Sequence, residues 1–264
     1  TFLTDYGLEN KFVGVCHGVM AKIAPEVRVL DLTHLVPSGN IRHGAEILRQ
    51  AICYLPDGVH LAVVDPGVGT PRRPVVLVAG ANVFVAPDNG LVVPAASEVG
   101  GVEKAYELRD PRYRLESISH TFHGRDIFSP VAAHLAAGVE PSEFGPQVPL
   151  NELVRLPEQV RRREGNLLHG EVTIMDRFGN LQTSLDTAIL TEVGACFGDV
   201  FVLTSGATTA YVPYVETFGS VAEGEALAHI DSADRLAVAV NLGSAAARFQ
   251  LCEGDVITLR LNTG

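Results

Sequence analysis

The stretch Leu61-Ala62-Val63-Val64-Asp65-Pro66-Gly67-Val68-Gly69-Thr70-Pro71-Arg72-Arg73 decides how this chain is read. Leu61 to Val64 reads as a buried strand. Asp65 follows at its end, and a carboxylate at the C-terminal end of an apolar strand stands where open α/β sheets bind ligands. Gly67 and Gly69 let backbone approach a ligand closely. Arg72 and Arg73 can return to the same pocket as fixed positive charge. The same residues also make a plain turn, with Asp65 as a cap and both arginines in solvent.

Upstream, Thr1 to Asp5 reads as a short strand that again ends in a carboxylate. It begins mid-strand, so a few earlier residues are expected. Phe12 to Ala24 carries apolar residues at helical spacing, and Pro25 ends it. Val27 to Leu32 reads as a strand, Asn40 to Cys53 as a helix and Val59 to Val64 as the next strand. This alternation predicts a mainly parallel sheet flanked by helices. Downstream, Pro74–Val78 and Val83–Ala86 are joined at hairpin length. Leu91–Val99 reads as a helix, Lys104–Leu108 as a strand and Ile127–Ala137 as a helix.

Residues 141–165 are rich in Pro, Arg and Glu and read as a linker, with Arg161-Arg162-Arg163-Glu164 a solvated face. From Gly170 onward short β-rich runs recur between turn residues, which predicts an all-β, barrel-like domain. The expected division is an α/β N-terminal domain over 1–157, a linker over 158–169 and a β-barrel C-terminal domain over 170–264.

Composition narrows the function. The chain has 264 residues, of which 47% are hydrophobic and 19% charged, so it has material for a sizeable core and is not disordered. Its net charge of −11 argues against nucleic acid and against an anionic membrane surface as partners. Cys16, Cys53, Cys196 and Cys252 have no CxxC spacing and read as buried thiols in a reducing, cytoplasmic compartment. No signal peptide or membrane-length apolar run is present.

Asp5, Asp65, Asp88-Asn89 and His123 stand at strand or helix ends that converge in a doubly wound sheet. Each also works as an ordinary cap. His120 and His123 could build a metal site with Asp65 or Asp88, but the HxxH spacing is not a helical pair and no cysteine accompanies it. The other reading makes His123 a general base or a polar anchor. Phosphate-loop, dinucleotide and nucleophile-elbow motifs are all missing. In the C-terminal half, Asp176-Arg177-Phe178-Gly179-Asn180 could read a purine, with the amide on its edge and the ring on its face. It could equally be a hairpin turn. Thr217-Phe218 and Asp231-Ser232 are weaker candidates of the same kind.

Taken in order, TDYG at 4–7, VVDPGVGTPRR at 63–73, PDNG at 87–90, TFHGRD at 121–126, DRFGN at 176–180 and VNLGSAA at 240–246 resemble the S-adenosyl-L-methionine (SAM) hydrolases, also called SAM hydroxide adenosyltransferases, relatives of the fluorinases and chlorinases. The resemblance covers essentially the whole chain. It implies an α/β domain joined to a β-barrel, and a homotrimer with substrate held between the N-domain of one subunit and the C-domain of the next.

The resemblance also implies hydrolysis of SAM to adenosine and L-methionine by hydroxide attack at ribose C5′, with no cofactor and no metal. Asp65, Arg72 and His123 match its catalytic triad, with Arg73 the neighbouring alternative. Asp5 would hold the ribose hydroxyls, Asn180 the adenine edge with Phe178 and Phe218 on its faces, Asp176 the methionine ammonium and Ser232 the amino-acid end. Asn10 stands among the substrate-binding positions, where, as at Asn40, an acid is common. Halogenating relatives carry tyrosine in place of Asp65 and no histidine in place of His123. Ala233 and Val240 replace basic residues, which leaves the methionine carboxylate without an assigned partner. A halide-dependent adenosyltransferase and a SAM or adenosine sensor with little turnover are the alternatives, along with a metal-dependent hydrolase built on His120, His123 and Asp65.

Overall fold

A computed structural model describes residues 1–206 and 208–262. The chain forms two compact units, Thr1–Leu156 and Pro157–Gly264.

The first unit runs β1 (Phe2–Thr4), α1 (Phe12–Ile23), β2 (Asp31–Thr33), α2 (Ile41–Ala51), β3 (Val59–Val63), β4 (Pro74–Ala79), β5 (Asn82–Pro87), α3 (Val93–Glu98), β6 (Lys104–Glu107) and α4 (Ser129–Ala136). Its sheet has the order β2-β1-β3-β5-β4-β6. β1 pairs in parallel with β2 and β3, and β3 with β5, whereas β4 is antiparallel to β5 and β6.

Side-chain alternation along the strands builds two cores. Phe2, Leu61, Val63, Val76 and Val85 pack with Cys16 and Met20 of α1 and Val131 of α4. Leu3, Ala62, Val64, Leu77 and Phe84 face the other way, onto Ala45 and Leu48 of α2 and Ala95 and Ala96 of α3. Each such large apolar side chain stabilises the fold by about 1.5–3 kcal/mol, which fixes the register because a one-residue slip would exchange the faces.

Local chemistry sets the ends of the elements. Asn40 caps α2 by accepting from His43 N at 3.0 Å. The β4–β5 hairpin turns at Gly80, whose φ is +57°. β2 is shorter than the Val27–Leu32 run predicts. It is the edge strand and has only β1 to pair with, and β1 is itself three residues long.

The second unit continues with β7 (Arg161–Glu164), β8 (Leu167–Met175), β9 (Leu181–Asp186), α5 (Thr187–Val193), β10 (Val200–Ser205), β11 (Thr208–Pro213), β12 (Ala226–Ile230), β13 (Arg235–Val240), α6 (Ala245–Phe249) and β14 (Val256–Asn262). The sheet order is β11-β10-β14-β8-β9-β13-β12, with β7 against β8 and every strand pair antiparallel. An isolated bridge from Tyr214 to Ala228 brings the two ends of the sheet together, so the sheet is barrel-like and nearly closed around Leu168, Phe201, Leu203, Leu236 and Leu259.

Two further expectations differ from the structure. The 141–165 stretch is ordered: Phe144, Val148 and Leu153 are buried in the first unit, and Arg161–Glu164 is strand β7. All four β7 side chains are exposed, because an edge strand pairs through its backbone and leaves its charges in water. Of the four free cysteines only Cys16 is buried, and Cys53, Cys196 and Cys252 are exposed in turns and short helical ends. No helix among the described residues is long and apolar enough to cross a membrane.

Candidate active site

The chain leaves β1 toward β2 on one side and later takes up β3 on the other side of β1. The carboxyl ends of β1 and β3 therefore lie at a topological switch point, where such sheets bind ligands. Asp5 follows β1, and Asp65 lies two residues beyond β3.

Two linked turns carry the chain from Asp65 to Arg72. Val68 N donates to Asp65 O at 3.2 Å, Thr70 N to Gly67 O at 3.1 Å, and the Thr70 hydroxyl to Gly67 O at 2.6 Å. Gly69 has φ +79°, and a Cβ there would come within 2.7 Å of His120 O. Glycine is thus required twice over, and the turn is pinned against the segment that leads to His123.

These turns bring three charged or titratable side chains together. Arg72 Nε donates to Asp65 Oδ1 at 2.9 Å and to Oδ2 at 3.1 Å, and Nη2 donates to Oδ2 as well. The same Nη2 lies 2.9 Å from His123 Nδ1. A guanidinium has only donors, so Nδ1 accepts and the neutral ring carries its hydrogen on Nε2. Burial lowers the His123 pKa from its ordinary value, Arg72's cation lowers it further, and Asp65 opposes both. The ring is held neutral near pH 7.

Arg73 faces elsewhere. It pairs with Asp88 at 2.9 Å and Glu152 at 3.0 Å, while Asn89 Nδ2 donates to Val64 O at 2.8 Å. The Asp88-Asn89 pair thus secures the strand ends.

Asp5 is half-buried and accepts from Gly39 N at 2.8 Å. Burial raises its pKa, with Asp65's charge adding and backbone hydrogen bonds opposing. Asn10 is exposed in the turn before α1, and among the described residues it has no polar contact with Asp5 or the triad. His120, His123 and Asp65 do not gather into a metal-ligand cluster among the described residues.

Several supporting residues were not foreseen. His123 opens a π-helical turn, Gly124–Phe128, a geometry common at functional positions. Gly124 meets the Tyr6 hydroxyl so closely that a Cβ would fall 1.8 Å from it. The Phe128 ring lies 5.1 Å from the Arg72 guanidinium, a cation–π contact. Tyr6, Phe12 and Phe122 form an aromatic cluster with centroids 5.1–6.1 Å apart. Asp126, fully buried, holds Ser119 N at 2.7 Å and Arg125 at 2.6 Å. The glycine and the aromatics of TDYG and TFHGRD were visible in the sequence, but their mutual approach was not.

In the second unit, Asp176, Phe178, Asn180, Phe218 and Ser232 line one cavity of about 480 Å³ together with His229. Asp176 Oδ1 accepts from Phe178 N and Asn180 N, both at 2.9 Å, and Oδ2 accepts from Asn180 Nδ2 at 2.8 Å. The turn thereby orients the Asn180 amide with its oxygen unengaged by Asp176. Phe178 is 61% exposed and Phe218 38%, a large apolar area for two rings on a turn and a short helix. Exposed rings beside a mainly apolar cavity that carries an amide and carboxylates in its wall suit a planar heterocycle.

The SAM hydroxide adenosyltransferase N-terminal domain matches residues 1–145, and the corresponding C-terminal domain matches residues 170–258. The chain belongs to the SAM hydroxide adenosyltransferase family. It is 47% identical to the (R)-S-adenosyl-L-methionine hydrolase of Salinispora tropica, over all of this chain and 97% of that one. The (R)-S-adenosyl-L-methionine hydrolase of Thermus thermophilus is 44% identical over 98% of both chains. A fluorinase of Nocardia brasiliensis is more distant, at 28% over 98% of this chain and 96% of its own. Among solved structures, an uncharacterized conserved protein from Thermotoga maritima superposes with a TM-score of 0.91, at 37% identity over 98% of each chain.

Proposed function

We propose that this enzyme hydrolyses S-adenosyl-L-methionine to adenosine and L-methionine. The observation that carries the reading is the bonded set Asp65–Arg72–His123 at the sheet's switch point. The names of its full-length relatives support it.

The difficult partner in this reaction is the nucleophile, because hydroxide is scarce at neutral pH. The leaving group is a neutral thioether and needs no acid. A water beside Arg72 and His123 gives its proton to the imidazole at Nδ1 as Arg72 Nη2 moves its hydrogen bond from that nitrogen to the forming hydroxide. Hydroxide oxygen then bonds to ribose C5′, the C5′–sulfur bond breaks, and its electron pair stays on methionine sulfur. Asp65 keeps the guanidinium in place and offsets its charge. Asp5 accepts from the ribose hydroxyls. Phe178 and Phe218 stack on adenine, Asn180 pairs with its edge, and Asp176 and Ser232 hold the amino-acid end. The reaction draws on no cofactor.

By family resemblance the enzyme works in the cytoplasm as a homotrimer, in which the triad of one copy meets the purine pocket of a neighbour. Purified protein incubated with SAM in 18O-water tests the reading. Adenosine labelled at the 5′ oxygen, with methionine in equal amount, is the expected result. Absence of adenosine refutes it. A halogenated nucleoside in the presence of chloride would place the chain with the halogenating relatives instead.

A further inference from the structure

A second cluster lies on the edge of the first sheet, away from the triad's bonds. His17 projects from α1, Asp31 opens β2, and His34 follows it. One ligand atom from each lies within 4.8 Å of the others. His17 Nε2 is 2.9 Å from Asp31 Oδ1, and His34 Nε2 is 3.1 Å from the same oxygen.

His34 is the informative member. Its residue is only 4% exposed, and its Nε2 makes no hydrogen bond in spite of its nearness to Asp31. Its other nitrogen, Nδ1, is 2.8 Å from the Thr4 hydroxyl. That oxygen also accepts from Tyr6 N at 3.2 Å. If Nδ1 donates to Thr4, the Nε2 lone pair is buried 3.1 Å from a carboxylate oxygen, which repels it. If Nε2 carries the hydrogen, a buried donor is left unsatisfied, which costs about 1–3 kcal/mol. A cation between nitrogen and carboxylate removes both difficulties.

The surroundings hold the rings ready. Phe2, fully buried, lies edge-on to both imidazoles, 5.8 Å from His17 and 4.8 Å from His34. Thr4 supplies the outer hydrogen bond that metal-ligating histidines usually have. A tetrahedral ion with bonds of about 2.0–2.1 Å sets its ligands roughly 3.3 Å apart, close to the two separations observed.

We propose that His17, Asp31 and His34 bind one divalent transition ion of the zinc type, with water as fourth ligand. Two imidazoles and a carboxylate suit such an ion better than calcium or magnesium, which prefer oxygen ligands. The ion has a structural role. It ties α1 to β2 and to the loop after it, and through Thr4 and the bond from Gly7 N to His34 O (2.8 Å) it steadies the segment that carries Asp5.

Cobalt(II) titration of the metal-free protein tests the site independently of any turnover. The expected result is one tetrahedral d–d spectrum per chain, without a thiolate charge-transfer band, that zinc displaces. The melting temperature should rise by roughly 5–10 °C at about a hundredfold excess of free zinc over Kd. Asp31→Asn and His17→Gln change the partly exposed ligands, so they test the site without emptying the core as His34→Ala would. Both should abolish the spectrum and the zinc-dependent shift. An unchanged spectrum in these two variants, a thiolate band from Cys53, Cys196 or Cys252, or no thermal shift in the parent protein overturns the proposal.

Discussion

Removing the Arg72 side chain separates a catalytic guanidinium from a merely structural one. The Arg72 and Asp65 side chains are 10% and 7% exposed, so they form a buried pair. Arg72→Ala deletes every hydrogen bond from the guanidinium to Asp65 and the one to His123 Nδ1. It leaves the Asp65 carboxylate buried, without its cation and near the Asp5 carboxylate. Breaking such a pair from one side costs about 3–5 kcal/mol, a fall in melting temperature on the order of 10 °C. Turnover should drop by about two to four orders of magnitude, the range for a lost oxyanion stabiliser or proton-transfer group. Adding Asp65→Asn removes the orphaned charge, so the double variant should regain most of the stability and none of the activity. Scanning calorimetry and methionine release measure the two effects separately. Arg73→Ala, which touches Asp88 and Glu152 instead, should keep its turnover. An inactive Arg73→Ala beside an active Arg72→Ala would refute the assignment, as would a double variant no more stable than Arg72→Ala.

The remaining predictions concern the pH profile, the β1 loop and the two ring contacts. Burial and Arg72 hold the His123 pKa below its ordinary 6.5, so the neutral ring persists below that pH. The acid limb of kcat/KM should fall under pH 6.5, and a limb above it contradicts the assignment of His123 as the base. Asp5 has a raised pKa, so its charged form weakens the fold as pH rises through that value. Asp5→Asn should raise the melting temperature at pH 7 while KM for SAM grows roughly 10–100-fold, the loss of a charge-assisted hydrogen bond. Gly124→Ala drives a methyl into the Tyr6 hydroxyl and should destabilise the fold and slow turnover. Tyr6→Phe in that background should restore part of both, and no recovery would mean that the clash lies elsewhere. Phe218→Ala should raise KM with little change in kcat, since the ring is expected to bind adenine and take no part in bond breaking; a kcat loss equal to the KM change would argue against stacking.

Much of this was legible in the chain itself. Apolar runs that end in aspartate gave β1 and β3 and put Asp5 and Asp65 at one edge, because strand direction and side-chain alternation are local properties. The β-rich second half announced its sheet through turn spacing. What stayed hidden depended on partners distant in sequence. Val27–Leu30 has strand composition, yet pairing stops with the short β1 beside it. Arg161–Glu164 looked like a solvated linker because an edge strand needs only backbone partners. The choice between Arg72 and Arg73 required the turn's actual course. The need for glycine at 124 comes from Tyr6, a partner distant in sequence. The set His17, Asp31 and His34 is hidden in the sequence because α1 supplies one member and the β2 segment the other two, and no spacing rule links the two segments.

The neighbouring arginines also constrain how this loop can vary. Arg72 and Arg73 lie on opposite sides of the chain as it enters β4, each matched to its own aspartate. The seven-residue interval from Asp65 to Arg72 is therefore a phase as well as a length. Deleting one residue would present Arg73's side chain to Asp65 and His123 and leave Asp88 without a cation, while the sequence would still contain every residue of the site. Substitutions within the loop can be absorbed, but insertions and deletions there change which arginine does which job.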